Sequence, residues 1–165
     1  VYCDASALAS AMVDSYGIQS GDRVAIAMRN YPEWMLIYWA CACSGIAVVG
    51  MNAWWTAEEM AYALTDSAPK VVFLDVERLD RLRERPETAD KMKIVGVRIP
   101  EASADVTPWT EVIAHGGMMP DITVDPDSDC CIFYTCSTWS MRPPRLRLRP
   151  SGPLAWHLLK IRRSL

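Results

Sequence analysis

The chain has 165 residues, 51% of them hydrophobic and 22% charged, with a formal net charge of −3. That composition excludes a disordered chain and provides one domain's worth of core, and 20 acids against 17 bases argue against a dedicated nucleic-acid binder when averaged over the chain. The average hides a division, because residues 1–141 carry all 20 acids, whereas residues 142–165 carry 7 bases and no acid.

The first helix is read from Ala5, Leu8, Ala9, Met12, Val13 and Tyr16, whose steps of three and four make one apolar stripe. Asp4 is expected to cap its start and Gly17 its end. Arg23–Met28 is a short continuous apolar run of the kind buried on both faces of a parallel sheet, and is expected to be the first strand. Asn30 followed by Pro32 opens a second helix, with Asn30 as the expected cap, and that helix ends near Gly45. Residues 46–51 are β-branched and give the second strand. Thr56 and Glu59 have capping-box spacing, which starts a third helix with Ala57, Met60, Ala61 and Leu64 on one face, ending before Pro69.

Residues 70–75 read as the third strand. The Arg-rich stretch 76–85 reads as a surface helix, with Val76, Leu79 and Leu82 inward and alternating charges outward. Residues 93–98 give the fourth strand, residues 107–113 a short capped helix, and residues 130–135 the fifth strand. Strands alternating with helices at this rhythm predict βαβ units, hence an α/β fold with a parallel sheet. Trp54 and Trp55 are expected to pack at a strand exit.

Six cysteines are too few and too irregularly spaced for a disulfide framework, so free thiols in a reducing, cytoplasmic setting are expected. No Cys-x-x-Cys or paired His offers metal-ligand spacing, so no metal site is expected. Residues 1–11 hold an acid and lack a basic stretch before an apolar core, unlike a signal peptide, and the absence of an initiator Met suggests a non-native N-terminus. Residues 34–57 carry no charge over the span of a transmembrane helix, but Ser44-Gly45 interrupts them and the flanks lack orienting bases, so a helix feeding a buried strand is expected instead. His115, beside Gly116-Gly117, reads as a loop residue with no nucleophile to serve. Asp125, Asp127 and Asp129 alternate as calcium ligands could, but the remaining ligands are missing and a turn is expected.

The segments Gly21-Asp-Arg-Val-Ala-Ile26, Asn30-Tyr-Pro-Glu33 and Gly50-Met-Asn-Ala-Trp-Trp-Thr-Ala-Glu-Glu59, in this order, resemble the N-terminal domain of AMP-forming acyl-CoA synthetases in the adenylate-forming superfamily. Asn52–Glu59 looks most like the fatty-acyl-CoA ligase branch, and the resemblance continues through residues 62–67, 70–75 and 124–135. It implies the parallel-sheet N-terminal subdomain of that fold. It also implies a reaction in which ATP converts a carboxylate to an acyl-adenylate with release of pyrophosphate, before the acyl group passes to the thiol of coenzyme A. ATP, Mg²⁺ and CoA are the family's cofactors and cosubstrates.

The resemblance fails where the family's chemistry begins. After the fifth strand the family carries Thr-Ser-Gly-Thr-Thr-Gly, then any residue, then Pro-Lys-Gly, a loop whose glycines let backbone amides approach phosphate. This chain has Thr135-Cys-Ser-Thr-Trp-Ser140 and then Met141-Arg-Pro-Pro144, so only Thr135 and Thr138 remain as candidate nucleotide-binding residues. Every glycine and the lysine are replaced, Trp139 stands where a hydroxyl should face phosphate, and Pro143 and Pro144 remove two amide donors. Arg142 and Arg145 bring charge without a preorganised nest of amides. The resemblance therefore implies a remnant of the phosphate loop, with no catalytic residue and no cofactor expected for this chain.

The expected organisation is an acyl-CoA-synthetase-like α/β subdomain over residues 1–135, followed by a basic Arg/Pro/Leu-rich tail over 136–165. The tail's composition is that of a GC-rich gene read in a wrong frame, and a frameshift within the loop codons is expected, with a divergent genuine tail as the alternative. Leu154, Leu158, Ile161 and Leu165 fall on one helical face, with Lys160, Arg162 and Arg163 elsewhere. That pattern permits a second class of function, a non-catalytic module binding a partner or an anionic membrane, and Arg142, Arg145, Arg147 and Arg149 add a weak nucleic-acid reading. The fold is expected to be truncated relative to the family, leaving apolar surface open for self-association.

Overall fold

The computed structural model describes residues 2–90, 92–99, 105–134 and the backbone of 145–147. Chain order is α1 (Tyr2–Asp14), β1 (Arg23–Ala27), α2 (Pro32–Cys43), β2 (Ala47–Gly50), α3 (Ala57–Ser67), β3 (Val71–Leu74), α4 (Val76–Arg83), β4 (Lys93–Gly96), β5 (Thr107–Pro108), α5 (Trp109–Ala114), β6 (Asp129–Phe133) and β7 (Arg145–Arg147). The strands form one sheet in the order β5-β4-β3-β1-β2-β6-β7. Every pairing from β5 to β6 is parallel, and β7 alone runs antiparallel, on the outer edge of β6.

Parallel strands join only through crossovers, so helices cover both faces and strand residues are buried on both sides. Val24, Ile26, Val48, Phe73 and Val95 face α1, α2 and α5 through Leu8, Met12, Ile37 and Val112. Ala25, Ala27, Val49, Val72 and Leu74 face α3 and α4 through Met60, Leu64, Leu79 and Leu82. The chain leaves β1 over one face to β2, then returns over the other face to β3. The expected α/β fold and its five principal strands are therefore present.

Local chemistry accounts for most boundaries. Thr56 caps α3 in a reciprocal box: its hydroxyl accepts the Glu59 amide at 3.3 Å, and Glu59 accepts the Thr56 amide at 2.8 Å. Gly17 takes the left-handed conformation, φ 62°, just past α1. Three expected caps are corrected. Asp4 lies inside the first turn because α1 already runs from Tyr2, so it favours the helix N-terminus by charge instead of capping it. Tyr31, with extended backbone, occupies the cap of α2 in place of Asn30, and makes no side-chain cap bond, because Pro32 itself is the first helical residue. Residues 107–108 pair with β4 as a short strand, so α5 starts only at Trp109, after Pro108.

Two inward positions are also corrected. Val76 is exposed whereas Arg78, expected on a solvated face, is buried at 1% exposure because it has buried partners. On α3, Ala63 is buried and Ala61 only partly so. The aspartates before β6 form the expected turn, with the Asp127 amide donating to the Asp125 carboxylate at 2.9 Å. Among the described residues, no helix is long and apolar enough to cross a membrane.

Replacing Thr56 by Ala removes one half of the box, and a loss of about 1 kcal/mol is expected in urea denaturation, with an unchanged slope.

Candidate functional site

The C-terminal ends of β1, β2 and β6 open into a cavity of about 510 Å³, lined by Arg29, Trp34, Asn52, Trp54, Phe133 and Tyr134 among others. Ligands of open α/β sheets bind at this end, where the loops leaving adjacent strands diverge over opposite faces. The divergence follows from the strand order: α2 departs from β1 over one face while α3 and α4 depart from β2 and β3 over the other. Gly50, the last residue of β2, lets the Phe133 ring lie across it, since a Cβ there would stand 2.7 Å from Phe133 Cε1.

The wall between Gly50 and α3 is fixed from below by Arg78. Its guanidinium donates to the Asp75 carboxylate at 3.0 and 3.1 Å and, through Nε at 2.9 Å and through a second nitrogen, to the Ala53 carbonyl. Arg81 donates to the same carbonyl at 2.8 Å. Asp75 also caps α4 and accepts the Arg29 amide at 3.1 Å. Ala53 is thus held down and Trp54, next in sequence, is thrust outward to 76% exposure. Trp55 packs inward, edge-on to Tyr134 at 5.8 Å. The expectation that both tryptophans pack at the strand exit therefore holds for Trp55 and not for Trp54, which follows the fixed Ala53 carbonyl and points outward.

Among the described residues, Arg29 is the one basic residue lining the cavity. It ion-pairs with Glu77 at 2.7 Å, and its guanidinium carbon stands 5.7 Å from the Trp54 ring. Tyr134 donates to Asp66 at 2.8 Å, and burial together with that carboxylate pushes its hydroxyl above the ordinary phenol range. His115 sits at the end of α5, 3.4 Å from Asp14, far from the cavity in sequence and on another element. Among the described residues, no three His, Cys, Asp or Glu side chains gather as metal ligands.

Thr135 and Thr138, the candidate nucleotide contacts, lie outside the described residues, as do residues 154–165 of the expected amphipathic helix. Tyr134, the residue after β6 and the last one described before them, lies at the cavity wall. What sequence reading missed here is the clamp, since Arg78 lies in a charge-rich run like any solvated helix.

Residues 1–140 match the family described as AMP-binding enzyme. The chain belongs to that family. A feruloyl-CoA synthase of Amycolatopsis sp is 26% identical over 149 residues, 88% of this chain and 26% of its own length. The long-chain-fatty-acid–CoA ligase FadD13 of Mycobacterium tuberculosis is 36% identical over 74 residues, 43% of this chain and 15% of its own length. Among solved structures, apo MatB from Rhodopseudomonas palustris superposes with a TM-score of 0.68 at 26% identity, covering 88% of this chain and 28% of that one. The N-terminal domain of FACL13 from Mycobacterium tuberculosis gives 0.68 at 24% identity, covering 88% and 34%. The chain spans about a quarter of the length of the feruloyl-CoA synthase that it matches. It carries the parallel α/β sheet of that family.

Among the described residues the cavity lining does not fit a nucleoside triphosphate: it offers a single guanidinium, already paired with Glu77, while the sequence that follows β6 has no glycine and no lysine before Pro144. Replacing Arg78 by Met strands Asp75 and frees the Ala53 carbonyl. Stability is expected to fall by about 3 kcal/mol in denaturant titration, and hydrogen exchange at Trp54 and Trp55 to accelerate beyond that global change.

Proposed function

We propose that this chain supplies the sheet-and-helix scaffold of an AMP-forming acyl-CoA ligase of the fatty-acid branch, and by itself activates no acid. The observation that carries the reading is the position of the divergence. Family likeness extends to residue 140, and within its last six residues the loop that should meet phosphate has lost its glycines. The family reaction, carboxylate plus ATP to acyl-adenylate and then to acyl-CoA, needs charge on the phosphoryl groups met by fixed amides and cations. Neither Thr135 nor Thr138 replaces such amides, since each hydroxyl is a single donor on a rotating side chain. The identity with FadD13 and the Asn52–Glu59 segment support the fatty-acid branch. A cytoplasmic setting belongs to the same reading, supported by the free thiols of Cys3, Cys41, Cys43, Cys130 and Cys131.

Pyrophosphate release with ATP, Mg²⁺, CoA and a panel of fatty and aromatic acids tests the proposal. No release above the protein-free background is expected, and acid-dependent turnover would refute it. Self-association is part of the reading, supported by Trp54, Phe133 and Trp39, all exposed, the first two at the cavity mouth. Sedimentation is expected to show mass rising with concentration; a monomer throughout would remove this element.

A further inference from the structure

After Glu33, α2 runs Trp34-Met-Leu-Ile-Tyr-Trp-Ala-Cys-Ala-Cys43 with no charge on any side. A helix with one solvated face carries polar residues there, and a helix that is apolar all round is covered all round. Among the described residues, α2 is covered on one side only. Ile37, Ala40 and Cys41 are buried, whereas Pro32, Met35, Trp39 and Cys43 are exposed, Met35 at 48% and Trp39 at 42%, with Leu36 half-buried beside them. α1 packs against both α2 and α5, so α2 is the last described helix on that face of the sheet, on the side of β6 and β7.

The described chain ends close to this face. β7 runs antiparallel to β6, Cys131 pairing with Leu146 and Asp129 with Arg147, so Cys130 bulges between them and Arg147 stands beside the start of β6. Cys43, the last residue of α2, lies at the same end of the sheet, because β2 starts at Ala47 and pairs in parallel with β6, Val48 beside Cys131. Two strand spacings, about 10 Å, separate β7 from β2, and residues 148–153 reach about 20 Å when extended. Residues 154–165 then match the 12 residues of α2 in length. Their apolar positions Leu154, Leu158, Ile161 and Leu165 step by four, three and four, as does the outer stripe of α2 read backwards, Cys43, Trp39, Leu36 and Pro32. Charge agrees, since the chain after residue 141 carries 7 bases and no acid and the body before it holds all 20 acids.

We propose that the outer face of α2 is the docking surface for this chain's own residues 154–165, laid on it as an antiparallel helix. Leu154 then meets Cys43, Leu158 meets Trp39, Ile161 meets Leu36 and Leu165 meets Pro32, while Lys160, Arg162 and Arg163 stay in water. The docked segment supplies the cover that an all-apolar helix needs and withdraws that face from a second copy. The inference is independent of the ligase reading. Of the exposed residues that support self-association it covers Trp39 alone, leaving Trp54 and Phe133 at the cavity mouth.

The full chain carrying Cys3→Ser and Cys136→Ser keeps Cys43 as the one exposed thiol among the described residues. Leu154→Cys is added in one variant and Trp156→Cys, about 200° round the helix, in another. After mild oxidation with diamide, disulfides are located by peptide mapping and sorted into those within and those between chains by non-reducing electrophoresis. The bond within one chain from Cys43 to the thiol at position 154 is expected to form about tenfold faster than that to position 156, because only the first brings the two Cβ atoms within about 4 Å. Equal rates, as a tether free of α2 would give, or bonds only between chains, as a second copy on this face would give, overturn the proposal. In the full chain with its native cysteines, Leu158→Asp with Ile161→Asp leaves the sheet and its helices untouched and is expected to speed oxidation of Met35 by hydrogen peroxide about threefold. An unchanged Met35 rate overturns the proposal as well.

Discussion

One buried carboxylate joins the exits of three strands. Asp75, just past β3, accepts the amide of Arg29 beyond β1 and the guanidinium of Arg78, and that guanidinium reaches the carbonyl of Ala53 beyond β2. Loops at the C-terminal end of a parallel sheet have no ladder to restrain them, so their positions relative to one another depend on such cross-ties. A buried ion pair gains little net stability over well-packed apolar groups of the same volume. What Asp75 and Arg78 contribute is position: they decide that Ala53 turns down, Trp54 out and Trp55 in, and so where the cavity has a wall.

The sheet itself imposes the rest. With β1 in the middle and its neighbours β2 and β3 reached over opposite faces, the loops diverge above the central strands and leave a depression that no helix among the described residues covers. Phe133 and Tyr134 close one side of it because β6 lies beside β2 and Gly50 presents no side chain to the Phe133 ring. That placement rests on strand order and on one glycine, not on the chemistry of the lining. Position and chemistry are therefore separable in this fold.

The elements written in apolar runs and caps were legible from sequence, because their causes are local. Thr56 and Glu59 satisfy each other within four residues, and the apolar runs of strands β1 to β3 are stretches that only a sheet covered on both faces would bury. The misreadings of Arg78, Trp54 and β6 share a different cause: partners distant in sequence. Arg78 looks solvated until Asp75 is capping the helix and Ala53, 25 residues away, is accepting from it. Trp54 looks apolar and buried until that carbonyl fixes its direction. The β6 bulge depends on β7, which lies in a stretch whose Arg and Pro content gives no strand signal. The cavity could be expected from the strand order alone; its aromatic lining could not.

Low identity with a shared architecture follows from the same separation. Filling the space between sheet and helices requires apolar volume and tolerates exchange of one branched residue for another, so relatives at 26% identity superpose well. A phosphate loop tolerates no such exchange, because each glycine is there for a backbone approach that any Cβ obstructs. A parallel sheet can therefore persist whatever residues face its open end, and kinship read from the sheet says nothing about turnover.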